Sequence, residues 1–147
     1  MNIEEYWQNF LDKHNLPEDI VYDEAFCFVG YSDEQSDRLL RLVLEGKKKA
    51  TTSVYLEDED YPRVGSYSVV LDRHGVPRCI IETISYRIMR FRDMTYEVAK
   101  KEGEDENLDS WIFNHSIIFS KECRESGYVF TPDTAIIFEE FEVVCIM

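Results

Sequence analysis

Three lysines, Lys47, Lys48 and Lys49, stand side by side, and three hydroxyl side chains, Thr51, Thr52 and Ser53, follow almost at once. Cations next to hydroxyls are groups that grip a polar ligand. Here they fall on a connection between a helix and a strand, where a rigid base presents them. The plainer alternative is a solvated charge run, because lysines suit the C-terminal end of a helix dipole. A second chemical group lies in Cys79-Ile80-Ile81-Glu82-Thr83-Ile84. There Glu82 shares its strand face with Ile80 and Ile84. A carboxylate in that setting either faces water or is partly buried, and if buried it needs a cationic or hydrogen-bonding partner. The lysine stretch is the obvious supplier, so the sequence predicts a partly buried Glu82 paired to Lys48 in one pocket. Trp111 and His115 read as core residues or as pocket residues with Trp111 stacking on a base. Tyr67 reads as core, rim or stacking platform.

The elements that must position these groups can be read from periodicity and punctuation. Asn2 caps a first helix with Glu5 at the capping-box position, and Ile3, Tyr6, Trp7, Phe10 and Leu11 share one face. Leu16-Pro17 ends it. Ala25 to Val29 is a short buried strand broken by Gly30. Ser32 with Gln35 opens a second helix that Gly46 closes. Ser53-Val54-Tyr55 starts a strand after the lysines. The acidic run 57–60 reads as a solvated loop or a cover folded over the lysines, and 61–65 as a turn. Ser66 to Asp72 and Pro77 to about Met89 form a hairpin around Arg73-His74-Gly75. Asp93 or Thr95 caps a helix ending near Gly103, and residues 102–106 form an acidic loop. Leu108, Trp111, Ile112, His115, Phe119 and Cys123 mark one face of a further helix ending near Gly127. Ala135 to Ile146 is the last strand. Interspersed helices and strands with an antiparallel hairpin predict an α+β class with a small mixed or barrel-like sheet.

A chain of 147 residues with 44% hydrophobic and 14% aromatic residues has ample material for one core. A net charge of −14 argues against non-specific nucleic-acid binding. The charge is unevenly placed, however. Residues 1–37 carry one lysine against ten acids, a net −9. Residues 38–101 carry thirteen basic residues against nine acids, a net +4. Residues 102–147 carry two against eleven, again −9. The basic middle predicts that the three lysines and some of Arg63, Arg78, Arg87, Arg90 and Arg92 line one concave face. Cys27, Cys79, Cys123 and Cys145 are scattered without a C-x-x-C pair, which reads as buried free thiols in a reducing compartment. The histidines are scattered too, so neither a metal nor another cofactor is expected. No signal peptide or membrane-spanning run is read, and the cytoplasm is the expected location.

The ordered motifs from about Val29 to Val144 resemble the ASCH domain family, a relative of the RNA-binding PUA fold. They comprise Gly46-Lys47-Lys48 with Thr51, Pro62-Arg63-Val64-Gly65-Ser66-Tyr67, and Pro77-Arg78-Cys79-Ile80-Ile81-Glu82-Thr83. A Glu102-Gly103-Glu104 run, Trp111 and His115 on a helix, and Glu139 to Val144 on a closing strand complete the set. The resemblance implies a small PUA-like β-barrel with surrounding helices. It makes residues 1–147 a single ASCH domain with an N-terminal helix, about 1–20, packed on it. Asp105 stands where the family tends to have a second glycine, and Ser53 where its amidohydrolases tend to have an arginine.

The resemblance also implies RNA or nucleoside chemistry. Some small members are amidohydrolases that deacetylate N4-acetylcytidine, with residues that map here onto Lys48, Thr51 and Glu82. A threonine hydroxyl needs an adjacent base. Lys48 serves as one if burial or the neighbouring Lys47 and Lys49 ease its proton off. Glu82 would orient the amide and carry a proton to the leaving amine, and a backbone amide of residues 50–53 would hold the oxyanion. Substrate or RNA contacts would come from Lys47, Lys49, Ser53, Arg63, Tyr67, Trp111 and His115. Three classes stay open: an amidohydrolase on a modified pyrimidine nucleoside, an RNA-binding module or ribonuclease, and a protein-interaction domain. A homodimer is left open too. The negative total charge favours a small, nearly neutral ligand over long RNA.

Overall fold

The computed structural model describes residues 1–57, 59–61 and 63–147. The acidic run 57–60 and the turn 61–65 are therefore described except at Asp58 and Pro62, which lie outside the described residues. Five strands form one curled half-barrel sheet, in the order β1 (Glu24–Cys27), β3 (Tyr67–Leu71), β4 (Pro77–Arg90), β5 (Ala135–Ile146), β2 (Ala50–Val54). β1 runs parallel to β3, and every other pairing is antiparallel. β1 and β2 are thus the two edges, and a seam separates them. This is the α+β, PUA-like arrangement expected from the motif order.

The helices form where capping and periodicity place them. Asn2 Oδ1 accepts the Glu5 amide at 2.8 Å to start α1 (Ile3–Lys13). Its apolar stripe of Tyr6, Trp7, Phe10 and Leu11 packs on Val69 and Ile80. Ser32 Oγ accepts the Gln35 amide at 3.1 Å to start α2 (Asp33–Leu44). Gln35 does not complete a reciprocal box, because its Oε1 accepts the Tyr31 amide instead. α2 buries Leu39, Leu40 and Val43 against Phe28, Val70, Cys79, Ile81 and Phe141. A single turn, α3 (Tyr96–Ala99), runs into a 3₁₀ turn at Lys100–Glu102 that Gly103 ends. α4 (Leu108–Glu125) sets Trp111, Phe119 and Cys123 against Ala50, Val54, Ile136 and Phe138. Ile112, expected on that buried face, is more than one-third exposed. No helix among the described residues is long and apolar enough to cross a membrane.

β2 begins at Ala50, three residues before the predicted strand. Its pairing with β5, Ala50 opposite Glu140 through Val54 opposite Ile136, is a tertiary event with no local signal.

Candidate active site

Lys48 is buried, 2% exposed, by the way α2 ends. Gly46 takes φ +76°, and the amides of Lys47 and Lys48 both donate to the Leu42 carbonyl at 2.8 and 3.0 Å. That closing turn sends Lys47 outward and Lys48 inward. The Lys49 amide then donates to the Lys101 carbonyl at 2.9 Å, binding the start of β2 to the 3₁₀ turn. Gly103, with φ +72°, lies so close to this segment that a Cβ there would come within 2.3 Å of the Lys47 carbonyl oxygen. The close approach lets the flanking Glu102 and Glu104 both reach Lys48.

The Lys48 ammonium donates to the Ala50 carbonyl at 2.7 Å and to Glu104 Oε2 at 2.6 Å, and lies 3.6 Å from Glu102 Oε1. Glu102 is 1% exposed and fully engaged. Its Oε2 accepts from Thr52 Oγ1 at 3.1 Å and from the Trp111 indole N–H. Its Oε1 lies 3.5 Å from His115 Nε2. One helical turn separates Trp111 from His115, whose rings stack at 4.2 Å while His115 Nδ1 lies 2.9 Å from the Trp111 carbonyl.

Burial pushes the Glu102 carboxyl up, but the Lys48 ammonium, His115 and the indole N–H outweigh it and hold Glu102 well below the usual range. Burial likewise opposes charge on His115, but Glu102 and Glu104 win and raise it. Glu104 goes the other way. Burial, with the Glu102 charge adding to it, exceeds the pull of Lys48 and leaves Glu104 raised. The same burial is thus overcome at Glu102 and prevails at Glu104, so the two neighbouring carboxyls are shifted in opposite directions.

These groups form one end of a cavity of about 400 Å³ that occupies the seam between β1 and β2. Thr51, Thr52 and Ser53 all line it. Since alternate residues point to opposite faces, the cavity runs along the free edge of β2. Across from Lys48, Glu139 accepts from Thr83 Oγ1 at 3.1 Å and stands directly opposite Thr51 in the β2–β5 register. Burial pushes Glu139 up to about 7; the Thr83 hydroxyl opposes this, and the nearby Glu24 and Asp23 charges add to it. Among the described residues the walls carry seven carboxylates, including Glu24, Glu122 and Glu139, with Lys48 as the lysine among them.

The predicted Lys48–Glu82 pair does not form. Glu82 stands opposite Tyr67, which packs on Trp7 and Phe10 of α1, so Glu82 belongs to the outer sheet face. Thr83, one residue on, faces Glu139 and the cavity. Parity therefore puts Glu82 on the wrong side, and the carboxylates on Lys48 come from the 102–104 loop. The expected basic concave face does not form either. Lys47 is exposed beside Glu45, Lys49 is exposed, and Arg63 is exposed with its carbonyl turned to Ser66. Arg78, Arg90 and Arg92 are drawn to Asp72, Asp93 and Asp133, while Arg87 lies over the Phe138 ring. These four arginines each have an acid or a ring beside them. Ser53, Thr51 and His115 do meet at the cavity. Trp111 is fully buried beneath it, and Tyr67 lies away from it. Glu102 and Glu104 had one usable sequence signal. The Glu-Gly-Glu run brackets a glycine, and a glycine needing close backbone approach folds its neighbours inward.

Glu102, Glu104 and His115 offer ligand atoms within 4.8 Å of one another, the spacing of a metal centre. The Lys48 ammonium stands within 2.6 Å of Glu104 and 3.6 Å of Glu102, so the cation at that spot is the protein's own side chain.

The ASCH domain family model matches residues 25–145, most of the chain. The chain belongs to the ASCH domain family. The ASCH domain from Lactobacillus crispatus JV V101 is 28% identical with a TM-score of 0.82, over 96% of this chain and 95% of that one. Protein EF3133 from Enterococcus faecalis V583 is 35% identical with a TM-score of 0.87, over 99% of this chain and 94% of that one. The hypothetical protein PH0355, 18% identical with a TM-score of 0.53 over 82% and 97%, shares the fold alone. No curated protein matches the chain. The match begins at Ala25, so α1 lies ahead of the ASCH core and packs on its sheet.

Proposed function

We propose that this ASCH domain is an amidohydrolase that removes an acyl group from the exocyclic nitrogen of a cytidine-type nucleoside. The observation that carries the reading is the buried Lys48 ammonium, held between the Ala50 carbonyl and two carboxylates at the end of a nucleoside-sized cavity whose wall includes Thr51. A cavity of about 400 Å³ falls in the range that encloses small ligands. Its carboxylates repel phosphate, which favours a free nucleoside over a nucleotide or an RNA strand.

In this reading the Thr51 hydroxyl attacks the acyl carbon. Its proton passes to the Lys48–Glu104 pair, which delivers it to the departing nitrogen as the carbon–nitrogen bond breaks. Water then hydrolyses the acyl-threonine, releasing the carboxylic acid and restoring the hydroxyl. Glu102, fixed by Thr52, Trp111 and His115, keeps Lys48 in place. The test is incubation with N4-acetylcytidine and detection of cytidine by mass. Turnover should fall by about 10²–10⁴-fold in Lys48→Ala and Glu104→Gln and stay near the parent value in Glu82→Gln. Absence of turnover by the parent on any N4-acylated cytidine refutes the reading.

A further inference from the structure

The geometry points to the backbone of Thr52 as the element that reads the ligand: its N–H and C=O, side by side on the free edge of β2, bind a planar heterocycle that presents an acceptor next to a donor. For the cytidine-type substrate proposed above, on which this assignment rests, those are the ring N3 and the exocyclic N–H.

The argument begins with strand alternation. The Lys49 carbonyl accepts from Phe141, and the Tyr55 amide donates to Ala135, so odd-numbered residues of β2 turn their backbone to β5. Even-numbered residues turn theirs to the seam. The flanking groups on that edge are already used. The Ala50 carbonyl holds Lys48 Nζ at 2.7 Å, the Val54 carbonyl accepts the Tyr61 hydroxyl at 3.2 Å, and the Val54 backbone faces Glu122. Thr52 lies between them and lines the cavity, and on this edge strand its N–H and C=O face away from β5, the strand that β2 pairs with. Buried backbone groups are nearly always paired, so a free donor and acceptor facing a cavity mark a place for a ligand. One residue of free edge is too short to accept a peptide strand, and an extended residue turns its N–H and C=O the same way, matching one edge of a pyrimidine. Lys48 hangs from Ala50 on the same edge, about 7 Å along at the strand rise per residue. A base held at Thr52 therefore carries its exocyclic nitrogen toward Lys48.

Replacing the residue 52 amide by an ester deletes the N–H and weakens the Thr51 carbonyl as an acceptor on the β5 side, which is why the 3-deazacytidine control is needed. The comparison is between Thr52→Val and the same protein with 2-hydroxy-3-methylbutanoic acid at position 52, both titrated calorimetrically with cytidine and with 3-deazacytidine, which lacks the ring acceptor. The ester should weaken cytidine about fivefold or more and leave 3-deazacytidine no weaker than it already is, with both proteins titrated below their melting transitions. Equal cytidine affinity in the two proteins, or 3-deazacytidine binding as tightly as cytidine, overturns the assignment. Turnover of N4-acetylcytidine is measured separately. Turnover with an indifferent ester removes the Thr52 assignment and keeps the amidohydrolase; N3-dependent binding without turnover does the reverse; no binding of either nucleoside removes the Thr52 assignment, while the amidohydrolase stands or falls on turnover.

Discussion

Stripping the Lys48 side chain leaves Glu102 and Glu104 beside each other with only the His115 ring to offset them. Breaking a buried ion pair from one side costs about 3–5 kcal/mol, mostly as the stranded charge, so Lys48→Met should lower unfolding free energy by that order in urea. Adding Glu104→Gln should recover part of the loss, because it removes one of the stranded carboxylates. Glu139 gives a pH-dependent prediction. Its folded value is pushed up from 4.5 to about 7, so between those values the folded state holds a proton that the unfolded state has released. Stability tied to Glu139 is therefore full below about pH 4.5, falls as pH rises toward 7, and stays low above it. The shift is worth at most about 3 kcal/mol. Glu139→Gln should match the parent near pH 5 and exceed it near pH 8 in thermal melts. Lys48 and Thr51 stood out in the sequence through the run of cations and hydroxyls and through the family motif, and both line the cavity. The carboxylate partner was not legible, because Glu82 and Thr83 read alike until pairing with Tyr67 fixes which of them faces α1.

The short connection through Gly103 is what brings Glu102 and Glu104 to Lys48. Gly103→Ala puts a Cβ within 2.3 Å of the Lys47 carbonyl, on top of the cost of a positive φ. It should lower stability by more than about 2 kcal/mol and reduce turnover with it. Gly75→Ala, at the β3–β4 turn with φ +80° and nothing within 4 Å, carries only the backbone cost of about 1 kcal/mol. Parallel melting and turnover measurements on the two variants separate the effects. Caps and apolar stripes made the helices legible, since Asn2, Ser32 and the stripe of α1 act locally. The edge strands were less so. β2 starts early because β5 supplies partners for Ala50 and Thr51, and β1 stops at Cys27 although the apolar run continues to Val29.

At the scale of the whole molecule, most cations are spent on nearby acids and a net −14 remains. Raising sodium chloride from about 20 to about 300 mM shortens the reach of that self-repulsion and should raise the melting temperature by a few degrees. The uneven charge along the sequence suggested a basic face, but net charge by segment says nothing about which acid each arginine meets once the chain folds. The fold class was legible for the opposite reason: motif order survives folding, whereas pairwise charge contacts are made by it.

The placement of β5 has a consequence for biosynthesis. Residues 135–146 lie between β4 and β2, so β2 has no hydrogen-bonded neighbour until they arrive. A growing chain that has passed residue 125 carries Lys48, Glu102, Glu104 and His115 but not the strand that fixes β2 beside them. Loop closure over so long a separation is slow. A chain truncated before residue 135 therefore lacks the strand that holds β2 in the sheet, and should show neither the native melting transition nor the turnover proposed above.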